Sequence, residues 1–146
     1  MKRFGFSLER VRRWRALQQD TEQARLDLLR GDLLRLGQAV ALLDRDREAA
    51  ERTAIAQSDS LQLARLGPYG RYIDREKRRL GGEQDQTRQR IERQQRRLME
   101  ARRNSLLLDN LKSRAWRKWR CEFEHEIETQ AAESAIERWR RRPANS

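Results

Sequence analysis

The sequence has very few of the residues that cross-link, interrupt or thicken a fold. Its 146 residues include one cysteine, two prolines, and four Trp, two Tyr and three Phe. The lone Cys121 excludes an intramolecular disulfide framework, and we expect a reducing, cytoplasmic environment. Only 36% of the residues are hydrophobic, against roughly 45–50% in an ordinary globular domain. A thick central core is therefore not expected.

Long apolar segments are also missing. The longest apolar run covers residues 39–43, whereas a membrane-spanning helix needs roughly 20 such residues. The basic start of the chain resembles the first part of a signal peptide, but the next residues are mixed polar and charged instead of apolar. We therefore expect neither secretion nor a membrane span.

No constellation of residues predicts catalysis. No Gly-rich loop lies between a strand and a helix, as a phosphate site would need. Cys121 and His125 share a helix face, but two ligands do not make a zinc site. Alternate residues from 122 to 128 are glutamates, which spread around a helix instead of converging. We expect a protein that is not an enzyme and that has no metal or cofactor.

Charge is what the sequence has in abundance, and it is unevenly spread. Charged residues make up 39% of the chain, with a net charge of +11. Residues 1–15 carry a net +5, residues 16–70 a net −2, and residues 71–100 and 101–146 each a net +4. The pattern indicates a mildly acidic first half, a strongly basic second half and a cationic start.

Two strong helix-breaking positions divide the chain. Residues 67–70 read Gly-Pro-Tyr-Gly, and Pro143 lies near the end. Because proline removes a backbone donor and glycine permits a reversal, we predict one helix over about residues 7–66, a turn at 67–70, and a second helix over about 71–141. A short disordered tail would complete a single domain spanning residues 1–146.

A heptad pattern predicts how these helices pack. Apolar residues occupy nine of eleven heptad positions between residues 29 and 64. A second set runs one residue out of phase, which predicts a slip near Gly31; it comprises Trp14, Leu17, Thr21, Ala24 and Leu28. A weaker series runs through the second helix from residue 80 to residue 122. The fold class predicted is all-α, a long antiparallel two-helix coiled-coil hairpin.

The predicted turn also sets the expected pairing of residues. Partners would have numbers that sum to about 137, so that Trp14 faces Phe123 and Phe6 faces Ala131. The acidic first helix would then lie along the basic second helix, which favours this intramolecular hairpin over parallel dimers. We expect a monomer in isolation.

Aromatic and basic residues near the C-terminus leave a second function class open. Trp116, Trp119 and Trp139 are interleaved with arginines and lysines, a combination that stacks on bases and neutralises phosphates. However, Trp116, Trp119 and Phe123 fall on the stripe that the hairpin would bury. Core packing is the favoured interpretation, and we expect no binding to nucleic acid.

Several short patterns resemble one known family. They are Phe4-x-Phe6-x-Leu8-Glu9-x-Val11 at the start, Tyr69-x-x-Tyr72-Ile73 after the predicted turn, and Leu111-Lys112-x-Arg114 followed by a charged tail. With the length and the predicted hairpin, they resemble the FliJ family, the coiled-coil proteins of the flagellar type III export apparatus. The stalk proteins of virulence-type injectisomes share this architecture and remain an alternative.

The resemblance implies a non-enzymatic stalk. In that family the paired helix ends enter the central channel of the hexameric flagellar export ATPase and promote its assembly. Family members also contact the export gate, a membrane protein, and are linked to export chaperones. The resemblance therefore implies a cytoplasmic protein that associates peripherally with the inner membrane at the flagellar base.

The resemblance and the charge pattern together give two sets of candidate contact residues. The cationic candidates for the ATPase ring are Arg3, Arg12, Arg13, Arg15, Arg138, Arg140 and Arg141. The positions that match the gate-contacting face of the family are Gln38, Leu42, Tyr69, Tyr72 and Ile73. The chain departs from the family pattern at the charged residues Glu76, Arg79 and Glu83.

Overall fold

The computed structural model describes residues 3–58 and 60–144, and its regular structure consists of two long helices. Helix α1 covers Glu9–Gln57 and helix α2 covers Ser60–Arg140. The two helices pack against each other antiparallel, which confirms the predicted all-α fold class. The sequence predicted a single domain, but the described residues fall into two compact units. One unit contains residues 3–18 and 101–144, and the other is Gln19–Glu100.

The turn lies ten residues before the predicted position. Helix α1 ends at Gln57 and Ser58 has a positive φ of 49°, while Asp59 lies outside the described residues. Ser and Asp are among the residue types that favour helix ends. The Ser58 hydroxyl donates a hydrogen bond to the Ile55 carbonyl at 3.4 Å. The predicted turn at 67–70 and both predicted helix boundaries beside it are therefore wrong.

The Gly-Pro-Tyr-Gly segment at residues 67–70 is helical, and its one proline and two glycines do not form a turn. Pro68 is the ninth residue of α2 and is exposed, so water can reach the carbonyl that loses its partner. No described glycine has a positive φ. Gly70 is buried against α1, where an added Cβ would lie 3.4 Å from Nη2 of Arg47. The glycine at this position admits a close side chain from α1.

Ion pairs between the helices fix a register that differs from the prediction. In the unit Gln19–Glu100, Lys77 Nζ lies 2.7 Å from Asp44 Oδ1, and Arg47 Nη1 lies 3.0 Å from Asp74 Oδ1. The partner numbers sum to 121 in both pairs. The predicted sum of about 137 is wrong because it was derived from the wrong turn.

The other unit, taken by itself, has the same pairing. Glu9 pairs with Lys112 and Arg12 with Asp109, again with numbers that sum to 121. Phe4 packs on Trp119, with ring centroids 5.9 Å apart. The predicted contacts of Trp14 with Phe123 and of Phe6 with Ala131 are therefore wrong.

Helix α2 presents the predicted heptad face to α1. Its buried and half-buried positions recur in steps of three and four, and the predicted series is confirmed from residue 80 to residue 119, while Glu122 is exposed. Besides Gly70, the fully buried members are Ile73, Leu80, Thr87, Gln94, Leu98, Ala101 and Ser105. The buried polar members are satisfied locally or across the seam. Thr87 donates to the Glu83 carbonyl at 2.8 Å, and the Gln94 amide donates to the Glu22 carbonyl at 3.0 Å.

The first part of α1 keeps a single heptad phase, without the predicted slip at Gly31. The buried and half-buried positions before Leu29 include Arg12, Gln19, Glu22 and Leu26. The predicted apolar set is on the outside of the helix, with Trp14 51%, Leu17 63% and Leu28 67% exposed. The heptad phase does not shift along α1, so the apolar set that is one residue out of phase cannot also face α2. Hydrogen bonds to α2 satisfy the polar residues that lie at the interface instead.

Because the turn occurs early, α2 is longer than the stretch that α1 can cover. Phe123 is half-buried and every described residue from 124 to 144 is exposed. The next heptad positions that would face α1 are the polar residues Glu122, Glu126, Thr129 and Glu133. This segment therefore offers no apolar seam to α1. Beyond Arg140 residues 141–144 are not helical, where a short tail was predicted.

The position of the turn can be tested with Pro68→Ala. Since Pro68 lies within a helix, restoring its N–H should raise the free energy of unfolding by about 1–3 kcal/mol. Thermal unfolding followed by circular dichroism measures the effect. Ser58→Gly is the matched variant, because glycine relieves the positive φ at the actual turn and should also stabilise the fold. Destabilisation by Pro68→Ala would contradict this position of the turn.

Candidate partner-binding surfaces

A charged cluster joins the start of α1 to α2. The Arg12 guanidinium donates two hydrogen bonds to the Glu9 carboxylate, at 2.7 and 2.9 Å. Lys112 Nζ lies 3.2 Å from the same carboxylate, and Arg12 also reaches Asp109 at 3.4 Å. Two of these contacts cross between the helices, so the cluster holds the N-terminal turn of α1 on α2.

The electrostatics of this cluster follow from its geometry. The hydrogen bond from Arg12 lowers the pKa of Glu9 to about 2, desolvation opposes the shift, and Lys112 adds to it. The hydrogen bond to Glu9 in turn raises the pKa of Arg12. Arg12 is therefore engaged in the structure instead of being available to a partner.

Aromatic side chains cover the same end of the unit. Trp119 stacks on Phe123 with ring centroids 5.1 Å apart, and Phe4 lies against Trp119 from the segment before α1. Trp119 and Phe123 are half-buried, as the core interpretation predicted. Trp116 and Trp139 instead are 42% and 73% exposed, and the guanidinium carbon of Arg120 lies 5.3 Å from the Trp116 ring centroid. The prediction that Trp116 would be buried is wrong.

The structure divides the predicted ATPase-binding arginines into two groups. Arg3, Arg12, Arg13 and Arg15 lie at the start of the chain, where Arg13 is exposed and Arg15 stacks over Trp14 at 4.8 Å. Arg138, Arg140 and Arg141 lie at the uncovered end of α2, and Arg141 is 3.8 Å from Glu137. Position 138 is about 44 Å further along α2 than Asp109, the partner of Arg12. The two groups therefore do not form one cationic tip.

The predicted gate-contacting residues are also separated. Gln38 lines a shallow groove with Gln84 and Arg88, on one side of buried Thr87. Gln86 lines a second groove, on the other side of Thr87. Tyr72 lies two heptads before Gln86 and therefore on the same side of α2 as Gln86. Because residues before and after a seam position flank it on opposite sides, Gln38 and Tyr72 do not share a face.

The remaining gate candidates differ in exposure. Leu42 and Tyr72 are exposed, and Tyr69 is half-buried with its ring 6.4 Å from that of Tyr72. Ile73 is only 1% exposed and belongs to the seam, so its predicted role as a surface contact is wrong for this structure. Of the predicted gate residues between 69 and 73, only Tyr69 and Tyr72 therefore remain as candidates for a surface contact.

The charged departures from the family pattern form a closed local network. Arg79 donates to Glu76 at 2.9 and 3.1 Å and to Glu83 at 2.8 Å. The hydrogen bond to Glu76 raises the pKa of Arg79. These three residues satisfy one another along α2, so the network does not interrupt the seam.

Sequence reasoning missed the residues that set the register. Asp44, Asp74, Lys77 and Asp109 form cross-helix ion pairs, yet each resembles an ordinary surface charge in the sequence. A matching charge four residues away would mark a pair within one helix. For a pair between two helices there is no such fixed spacing in the sequence, because the residues that come opposite each other depend on where the chain turns.

The described residues contain no further chemistry that would assign a function. Residues 3–58 and 60–144 hold no group of three or more potential metal-ligating side chains. Within the same residues, neither helix has a stretch apolar enough to cross a bilayer. Cys121 is exposed and unbridged.

Comparisons with known proteins did not identify a relative of this chain. No protein-family model, no curated protein and no solved structure matches this chain. The fold and its surfaces are therefore the basis for assigning a function.

The ion pairs of Glu9 should make the free energy of unfolding depend on pH in the acid range. Because the pKa of Glu9 is lowered from 4.5 to about 2 in the folded protein, the stability that it contributes is complete above about pH 4.5 and is lost as the pH falls toward about 2. Thermal unfolding between these limits, compared for the wild type and Glu9→Gln, measures the effect. The variant should lose part of the acid dependence.

Glu92→Gln is the matched control for this experiment. Glu92 pairs only with exposed Arg96 on the same helix, at 3.2 Å. Its removal should leave the pH dependence close to that of the wild type. Equal effects of the two substitutions would contradict a specific role for Glu9.

Proposed function

We propose that this protein is a non-enzymatic stalk of the flagellar type III export apparatus, which acts on the hexameric export ATPase. The observation that carries the proposal is an antiparallel two-helix coiled coil whose described chain ends belong to one compact unit. In that unit α2 continues beyond α1 as an uncovered helix with an arginine-rich end. The resemblance of the chain to the FliJ family supports the same function.

The physics of the uncovered end suits entry into a ring. Arg138 and Arg140 are exposed, and none of the ion pairs found among the described residues involves them. Clustered cations of this kind are attracted to a channel lined with carboxylates, and the attraction guides both approach and orientation. The helix would promote assembly by binding several subunits at once.

Contact with the export gate would use a different surface. Tyr69 and Tyr72 lie on the unit Gln19–Glu100, with Leu42 exposed on α1. Aromatic side chains provide large contact areas at low entropic cost. A protein that binds this gate would be cytoplasmic and peripheral to the inner membrane at the flagellar base, where it would also meet export chaperones.

The stalk of a virulence-type injectisome has the same architecture and is an alternative within the same class. The neighbouring genes distinguish the two, because a flagellar export operon and an injectisome cluster encode different partners. Both alternatives imply the same physical action on an ATPase ring.

One observation favours a second class, a basic helical protein that binds nucleic acid. Trp116 and Trp139 are exposed beside arginines, an arrangement that can stack on unpaired bases. A binding titration with single-stranded and duplex DNA at several salt concentrations tests it. A phosphate binder would show a steep loss of affinity with salt.

Reversal of the arginines at the end of α2 tests the stalk. We expect Arg138→Glu with Arg140→Glu and Arg141→Glu to abolish stimulation of the cognate export ATPase, with hexamers followed by sedimentation. Helix content by circular dichroism should change little, because these residues are exposed and lie at the helix end. Failure of the wild type to stimulate hydrolysis or assembly would contradict the proposal.

The matched control for this reversal lies in the other unit. Arg90, Arg93 and Arg97 are exposed on α2, and their change to glutamate alters the net charge equally. This control should retain most of the stimulation. Equal loss in both triple variants would show that net charge acts instead of the helix end.

The gate contact is tested with Tyr72→Ala. The exposed ring is 50% accessible and stacks only on Tyr69 among the described aromatic pairs, so its removal should weaken binding to the gate protein about tenfold, as for an interface aromatic. ATPase stimulation should change little. Leu28→Ala, at a comparably exposed site on α1, is the control, and loss of both functions on Tyr72→Ala would contradict separate surfaces.

A further inference from the structure

The end of α2 that α1 leaves uncovered carries apolar side chains that none of the described residues buries. We call residues 124–142 the C-terminal overhang; it is helical through Arg140, and a hydrogen bond from the Arg142 amide to the Trp139 carbonyl at 3.3 Å extends its last turn. Ile127, Ile136 and Trp139 are 42%, 51% and 73% exposed. These side chains are spread around the helix, since a separation of nine residues puts Ile136 on the side opposite Ile127, so no single apolar face marks the contact surface.

One face of the overhang has heptad spacing of its own. Its positions follow in steps of four and three and read Glu124, Glu128, Ala131, Ala135 and Arg138, and the next position in these steps is Arg142, just beyond the end of the helix. This face lies two residues away from the positions that continue the α1 seam. It is therefore a separate stripe along the helix.

The charges of this stripe complement those of a second copy that runs in the opposite direction. Read from either end, the six positions place acidic opposite basic and alanine opposite alanine, with numbers that sum to 266. Glu128 comes opposite Arg138, and Ala131 opposite Ala135. The apolar residues Ile127 and Trp139 flank the stripe on opposite sides, at equal distances along the helix from its centre.

We propose that two copies of this protein associate through antiparallel pairing of their C-terminal overhangs. The two-fold axis passes between Ala131 and Ala135, where small side chains let the helices approach closely. Glu128 and Arg138 of each copy pair with Arg138 and Glu128 of the other. Ile127 and Trp139 lie on opposite edges of this contact, where the second copy covers part of their apolar surface.

The charges select this orientation and this face. A parallel pair in register would bring glutamate against glutamate and arginine against arginine, whereas the antiparallel pair places opposite charges together. Within the chain Glu124 pairs with Arg120 at 3.1 Å, but none of the ion pairs found in the described residues involves Glu128 or Arg138. These two residues are free to form the intermolecular pairs.

The interface is short, and its ion pairs are open to solvent, so the association is weak and depends on salt. The pairing stands without the proposed stalk function, and it differs from the expectation of a monomer drawn from the sequence. Where the stalk function also holds, an Arg138 paired in the dimer is unavailable to the ring. The two uses of the overhang then exclude each other.

Complementary charge reversals test the proposal in the full-length chain. Sedimentation velocity over a range of concentrations near physiological salt should show a monomer–dimer equilibrium for the wild type. Glu128→Arg and Arg138→Glu should each weaken dimerisation about tenfold or more, because two symmetry-related pairs become repulsive. An equimolar mixture of the two variants should form a heterodimer, since each repulsive pair becomes attractive.

The mixture also guards against loss of folding, because a variant with a disordered overhang would not recover by mixing. Glu133→Arg, on the opposite side of the helix, makes the same charge change as Glu128→Arg and should leave dimerisation unchanged. A wild type that is monomeric at every concentration would overturn the proposal. So would a dimer insensitive to both reversals, a mixture that stays monomeric, or a Glu133→Arg variant weakened as much as Glu128→Arg.

Discussion

The heptad seam between α1 and α2 is the interaction on which the rest of this structure depends. Its buried apolar members are few and include Leu26, Ile73, Leu80 and Leu98. Such a seam fixes which face of each helix is inside, but registers that differ by whole heptads bury similar side chains. Something other than apolar burial must therefore choose the register.

Polar contacts and the turn make that choice. Lys77 with Asp44, Arg47 with Asp74 and Glu9 with Lys112 meet only in the observed register. Each exposed pair contributes little by itself, but a shifted register would lose all of them together and would leave the hydrogen bond of buried Gln94 unmade. The general attraction of an acidic first half for a basic second half is too coarse a description, because Arg12 and Arg47 of α1 also pair with acids of α2.

The register has a direct consequence for the surfaces available to partners. An early turn shortens α1, so the last part of α2 keeps its arginines and its apolar side chains exposed. The same register places Ile73 in the seam and leaves the Tyr69 and Tyr72 pair at the surface. Both proposed contact surfaces, the uncovered helix end and the tyrosine pair, thus depend on where the chain reverses.

The sequence by itself determined the all-α class, the two long helices, the heptad face of α2 and the thin seam, because helical periodicity and composition are local properties of the chain. It did not determine the turn, since Ser58 and Pro68 offer competing local signals and the burial of Gly70 against Arg47 is visible only in the fold. It also did not reveal that Arg12 and Glu22 would occupy seam positions while Trp14 and Leu17 stayed outside. Only the tertiary structure decided these features, because each depends on which residues of the distant helix are opposite.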